Sequence, residues 1–263
     1  MKKAVKILLT LAGVVVILAG LAIAYVKLAL PNVGPAPVLT VELSPERIAR
    51  GKYLANNVSI CIDCHSARDW SLFTGPIIPG TEGRGGEEFP REMGFPGDFY
   101  SANITPSGIS DWSDGELFRA ITTGVDRDGK ALFPVMPFAH YGKMDPEDIK
   151  SIIAYLRTLK PVEYEVPASR PAFPMSLLLN TIPQKAALQA IPDKNNKVAY
   201  GGYLVNAAAC AVCHTPAEKG QLVEEMMFAG GRSFPVPGGT VTSTNITPHE
   251  GTGIGTWDKA AFI

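Results

Sequence analysis

Two pentapeptides hold every cysteine of the chain: CIDCH, with Cys61, Cys64 and His65, and CAVCH, with Cys210, Cys213 and His214. Together they also use two of the four histidines. Two thiols about one helical turn apart can add to the two vinyl groups on one edge of a porphyrin, and the adjoining imidazole then lies beneath the iron as its proximal ligand. C-x-x-C-H is the attachment signature of c-type haem. One match can arise by accident; two that consume every cysteine are a strong signal. Other cysteine chemistries explain less. Two disulfides leave the histidines unaccounted for, and a thioredoxin-like pair needs a βαβ setting that the surrounding pattern lacks. A four-thiolate zinc site would have to join pairs 149 positions apart, far from the usual compact spacing. The cofactors expected are therefore two covalently bound haem c groups, with His65 and His214 as iron ligands.

The elements that must position these groups are written twice. GKYLANNVSICIDCH from Gly51 pairs with GGYLVNAAACAVCH from Gly201, GGEEFP from Gly85 with GGRSFP from Gly230, and SANITPSGISDW, ending at Trp112, with STNITPHEGTGIGTW, ending at Trp257. The order is the same and the offsets, 149–150, then 145, then 142–145, drift only by small insertions and deletions. One module has been duplicated. In its first copy, Ser44 as N-cap, Pro45 at the first helical position and Glu46 in the first turn predict a helix running toward the haem motif. Asp145 and Pro146 start a second helix whose Ile149, Ile152, Ile153 and Leu156 form an i, i+3, i+4, i+7 stripe, and Pro161 lies beyond its end. Gly51 would let the two helices cross closely, near Tyr155.

The first 30 residues carry Lys2, Lys3, Lys6 and Lys27 and no acid, which leaves the rest with 20 basic against 25 acidic groups, a formal charge of −5. That balance offers no basic stripe and no nucleic-acid partner. Ile7 to Val26 is an uncharged run of 20 residues, long enough for a hydrocarbon core of roughly 30 Å. Three lysines precede it and one follows, so the N-terminus is expected in the cytoplasm and the body on the periplasmic, extracytoplasmic side of the inner membrane, attached by a single-pass helix. A cleaved signal peptide ending near Ala22-Ile23-Ala24 is the rival reading, and its apolar region would be shorter than this one. The division expected is a membrane anchor over 1–30, a Pro-rich spacer over 31–43, a first haem domain over 44–162, a Pro-rich linker over 163–195 and a second haem domain over 196–263. Thr74 to Gly97, rich in Gly and Pro, is expected to be an irregular insertion, with neither the strand before it nor the helix after it that a phosphate loop requires.

The crossed N- and C-terminal helices of the first unit resemble class I cytochromes c. The two C-x-x-C-H units, NITP, and the stretch from Pro134-Val135-Met136-Pro137-Phe138 to Ile152-Ile153-Ala154-Tyr155-Leu156 make residues 44–263 similar to membrane-anchored dihaem or multihaem cytochrome c proteins related to the cytochrome subunits of bacterial alcohol and gluconate dehydrogenases. The resemblance implies an all-α fold: a transmembrane helix and two class I cytochrome c-type domains with long irregular loops. It implies an electron carrier with no catalytic residues, passing single electrons between redox proteins, with a dehydrogenase or a terminal oxidase as partner. Membership of a dehydrogenase complex as its electron-accepting subunit is one alternative. A dihaem peroxidase is the other, although no distal acid–base pair stands out. On position in such a fold, Met136 is the expected sixth ligand of the first iron, with Met144 and His140 as rivals. Trp112 and Trp257 are candidates to donate to haem propionates or to pack, Arg119 to reach a propionate or to be solvated, and Asn103 and Asn245 to order a turn. Met136 follows Trp112 by 24 residues. The same spacing from Trp257 runs past Ile263, so the second domain is expected to be truncated by roughly 40 residues, with its own methionine and closing helix beyond the end.

Overall fold

The computed structural model describes residues 2–218, 220–236 and 239–263. The helix α1 (Lys2–Leu28) buries none of its residues in the protein and is long and apolar enough to cross a membrane. After it come α2 (Pro45–Tyr53), α3 (Cys61–Cys64), α4 (Pro106–Ile109), α5 (Asp114–Thr123), α6 (Phe138–Tyr141) and α7 (Pro146–Arg157). Then follow α8 (Met175–Leu178), α9 (Lys197–Ala207), α10 (Cys210–His214) and α11 (Lys259–Phe262).

The caps form as their residue types dictate. The Ser44 hydroxyl accepts the Arg47 N–H at the start of α2, and an Asp145 carboxylate oxygen accepts the Glu147 N–H at the start of α7. A full capping box between Ser113 and Glu116 opens α5. Ile149, Ile152, Ile153 and Leu156 are all buried in one apolar cluster with Leu54, Val58 and Ile62. Each such side chain contributes about 1.5–3 kcal/mol when withdrawn from water. The two helices meet at Gly51, where a Cβ would overlap the carbonyl of Ser151 and touch Tyr155. The close crossing thus needs a residue without a side chain. At the duplicated position on α9, Gly201, a Cβ would meet nothing within 4 Å.

Strands complete the framework, and the expected all-α architecture did not include them. β1 (Glu88–Phe89), β2 (Gly97–Tyr100) and β3 (Arg170–Pro171) form an antiparallel three-stranded sheet in the order β1-β2-β3, with Glu88 opposite Tyr100 and Gly97 opposite Pro171. β4 (Ala217–Glu218) pairs with β5 (Gln221–Leu222), and β6 (Ser233–Val236) with β7 (Gly239–Thr242). The segment from Thr74 to Gly97, read from the sequence as irregular, therefore carries β1 and the first residue of β2. Strands of two to four residues lack the alternating pattern that announces longer ones.

The Pro-rich stretches are also docked. Val41 is buried and donates its N–H to Asp114 at 2.8 Å, while Gly115 leaves room for the Pro37 carbonyl. Ser169 accepts the Tyr100 N–H, and Ile191 donates its N–H to Asp145 at 2.7 Å. The residues expected to act as spacer and linker run along the first unit.

The glycine pair gives a direct test of the crossing. Gly51→Ala is expected to lower stability by about 2 kcal/mol or more, because backbone has to move. Gly201→Ala in this chain is expected to be neutral or to stabilise by up to about 1 kcal/mol, because alanine is the better helix former. Thermal unfolding of the two variants followed by circular dichroism distinguishes them.

Candidate haem sites

A left-handed residue precedes each cysteine motif: Ile60 (φ 46°) before α3 and Ala209 (φ 51°) before α10. In the first copy a π-helical turn from Leu54 to Val58 continues α2 into this bend. The bend turns the chain sharply into the helical turn that carries both cysteines, at a steric cost that the surrounding packing must offset. Cys61, Cys64 and Cys210 are part-buried, Cys213 is exposed, and none is paired in a disulfide. Burial pushes the Cys61 thiol up to about 12 and Cys64 up to about 11, and it also raises Cys210.

The histidines are held alike. His65 Nδ1 lies 2.7 Å from the Ala102 carbonyl, and His214 Nδ1 lies 2.8 Å from the Thr244 carbonyl. A carbonyl only accepts, so Nδ1 carries the proton and Nε2 keeps its lone pair. A bond of this kind, from Nδ1–H to a carbonyl, is how an imidazole is oriented toward a metal. Burial lowers the pKa of His65 and favours that neutral form.

The backbone hydrogen bonds around each ring correspond one to one. Gly85 N–H donates to the His65 carbonyl and Gly230 N–H to the His214 carbonyl, both at 2.8 Å. Gly86 donates to Ser101 and Gly231 to Ser243, again at 2.8 Å in both. Ser66 accepts the Gly83 N–H at 3.1 Å, and Thr215 accepts the Phe228 N–H at 3.0 Å. Gly85 and Gly230 have φ of +75° and +74°, and a Cβ on either would strike the carbonyl group just before the asparagine. Asn103 and Asn245 each accept from the backbone and hydroxyl of the threonine two residues on, at 2.7–2.9 Å. These are the turns expected of the two asparagines. After Trp112 and Trp257 the correspondence continues into α5 and α11, where Ser113 and Asp258 cap the first turn.

The donor set fits haem c twice over: an accessible or part-buried pair of thiols one turn apart, followed by a ring with its free nitrogen presented. Among the described residues no group of three or more His, Cys, Asp or Glu side chains gathers as a metal site.

The remaining candidates separate. Met136 sits on an irregular turn whose carbonyl accepts the Phe138 N–H at 2.8 Å, and its part-exposed side chain packs on the cluster that also contacts Cys61. Met144 is fully buried, with the Ser59 hydroxyl directed at its sulfur; it is a core residue. His140 on α6 faces the second unit, where its Nδ1 lies 3.2 Å from Asn206 Oδ1 and its carbonyl accepts from Asn206 Nδ2. Burial lowers its pKa. Trp112 packs on the core and Trp257 is half exposed. Arg119 donates to the carbonyls of Asp126 and Arg127.

With this geometry established, comparison with known proteins gives a consistent result. No family model matches the sequence. The chain is 30% identical over 82% of its length to the cytochrome c subunit of alcohol dehydrogenase (quinone) from Gluconobacter oxydans. It is 31% identical over 86% to the fructose dehydrogenase cytochrome subunit of Gluconobacter japonicus, and 28% identical over 72% to a diheme cytochrome c-type protein of Cereibacter sphaeroides. The chain is a homologue of dehydrogenase cytochrome c subunits. It spans 45% and 46% of the two Gluconobacter proteins and 63% of the Cereibacter one.

Within this cytochrome c homologue, one polar network escaped the sequence reading. Asp148 on α7 is 6% exposed and takes a bidentate pair from Arg50 of α2, with both contacts at 2.8 Å. Its Oδ2 also accepts from Tyr203 of α9 at 2.6 Å, and that phenol accepts the Asp145 N–H at 3.2 Å. The bond to Asp148 raises the pKa of Arg50; burial and then Asp148 raise that of Tyr203. One carboxylate thus fastens the crossed helices of the first unit to the helix leading into the second motif. Its position at the third residue of α7 reads from sequence as an ordinary first-turn acid.

Removing the charge separates its two roles. Asp148→Asn is expected to cost about 3 kcal/mol, because Arg50 is left part-buried without its anion. Tyr203→Phe is expected to cost about 2 kcal/mol, because it removes the bond to the charged carboxylate and the weaker one from the Asp145 N–H. Denaturant unfolding of both variants measures the difference.

Proposed function

We propose that this chain is a membrane-anchored dihaem electron carrier. Cys61 with Cys64, and Cys210 with Cys213, would tether one haem c each, and His65 and His214 would hold the irons. Met136 would be the further residue holding the first group, because Met144 and His140 are committed elsewhere, to the core and to Asn206. Haem c, when bound, supplies one-electron iron chemistry. The protein's own residues attach the groups, orient the imidazoles through Ala102 and Thr244, and exclude water on the side of the Leu54–Ile149 cluster. The first haem domain runs over 44–162 and the second over 196–263. Following the lysine bias around α1, the body stands on the periplasmic face of the inner membrane.

The observation that carries this reading is the identical frame built around both C-x-x-C-H motifs. A histidine and a methionine as the holding residues at the first site would suit one-electron transfer. The names of the relatives favour a more specific role, as the electron-accepting cytochrome subunit of a dehydrogenase complex. A membrane terminal oxidase fits on the output side.

A pyridine haemochrome assay combined with intact mass is expected to return two haems per chain. One haem or none overturns the dihaem reading. Met136→Ala is expected to abolish the weak far-red thioether-to-iron band of the oxidised protein, whereas Met144→Leu retains it. A band that survives Met136→Ala removes that residue from the ligand set. Co-purification of a quinoprotein or flavoprotein with the tagged chain supports the dehydrogenase role, and isolation as a lone reducible cytochrome counts against it.

A further inference from the structure

The short helix α8 and the 3₁₀ turn after it (Leu179–Thr181) pack against the C-terminal end of α1. The last carbonyls of a helix have no partners within it. Here Asn180 Nδ2 reaches two carbonyls at this end, those of Val26 at 3.3 Å and Leu30 at 3.2 Å. A segment 150 residues further along the chain is thereby fastened to the point where α1 ends.

That point has a defined depth if α1 spans the bilayer. Its apolar run ends at Val26, Tyr25 stands beside it 62% exposed, and Lys27 follows. An aromatic ring and a lysine at the end of an apolar helix mark the membrane–water boundary. The segment docked there is composed for the same boundary. Residues 171–184 carry no charge, while Arg170 and Lys185, both exposed, flank them. Two of its large apolar side chains face outward, Phe173 at 84% and Leu178 at 45% exposure. In water each is an unfavourable placement. Against lipid it is stabilising, and flanking cations can meet phosphate headgroups.

We propose that residues 171–184 form a second membrane contact, lying in the outer interface of the bilayer with Phe173 and Leu178 inserted among the acyl chains. The proposal rests on α1 being the anchor and extends it: a single helix tethers the body, whereas a second contact fixed to that helix sets how the body faces the membrane. The occupant is phospholipid, because the patch is continuous with the lipid-facing surface of α1 through the Asn180 bonds.

The test uses the full chain in vesicles of phosphatidylethanolamine and phosphatidylglycerol, with the photoreactive residue p-benzoylphenylalanine placed singly at Phe173, at Val16 in the middle of α1, and at Phe262 in the second unit. Lipid adducts are read by mass spectrometry, independently of haem redox activity. Adducts at Phe173 several-fold above those at Phe262 are expected, together with adducts at Val16. If Val16 reacts with lipid while Phe173 gives no more than Phe262, α1 is an anchor and the interfacial contact is overturned. If neither Val16 nor Phe173 reacts, the anchor reading fails and the proposal fails with it.

Discussion

A histidine ring can turn about two bonds, and only one orientation presents its free nitrogen along a fixed line. In this chain the constraint is a single hydrogen bond at each site, from Nδ1 to the carbonyl of Ala102 or Thr244. The rest of each frame supports that carbonyl. Gly85 and Gly230 adopt positive φ so that the backbone can approach it without a side chain in the way. Asn103 and Asn245, next in sequence after the carbonyl residue, close turns that hold the peptide plane. The glycines also donate back to the carbonyl of the histidine itself, so ring and acceptor belong to one closed loop of hydrogen bonds. Such a loop is rigid because moving any member breaks several bonds together.

The two copies differ in what braces the helix before the motif. In the first, α7 crosses α2 at Gly51 and buries a stripe of isoleucines over it. In the second, α9 takes its bracing from the first unit, through Tyr203 to Asp148, Asn206 to His140, and Tyr203 and Ala207 within the shared apolar cluster. The same ancestral helix is therefore packed by two different partners. This dependence ties the position of the second motif to the first.

Local chemistry was legible and long-range chemistry was not. The caps at Ser44 and Asp145, the isoleucine stripe and the asparagine turns are each decided within a few residues, and each forms as the residue types require; the crossing at Gly51 joins distant helices and was legible through a glycine placed on the first of them. The duplication was legible too, because Gly, Asn-x-Thr and Trp recur in order. The strands escaped because β1, with two residues, carries no periodicity. The docking of residues 31–43 and 163–195 escaped because proline-rich composition reports stiffness and says nothing of what the stretch lies against. Asp148 escaped for a third reason. Its partners Arg50 and Tyr203 lie 98 and 55 residues away in the chain, and no spacing rule links them.

The choice of a carboxylate at Asp148 also bears on why the two units hold one relation. A buried ion pair adds little net stability compared with an apolar contact of equal volume, since desolvation offsets most of the attraction. An apolar patch, however, tolerates sliding, because its energy depends on area and not on direction. Asp148 accepts three bonds in fixed directions, two from Arg50 and one from Tyr203. Displacing α9 would leave a charged oxygen short of a partner at 6% exposure, a penalty much larger than the loss of a few square ångströms of contact. The network therefore selects one register of the second unit on the first.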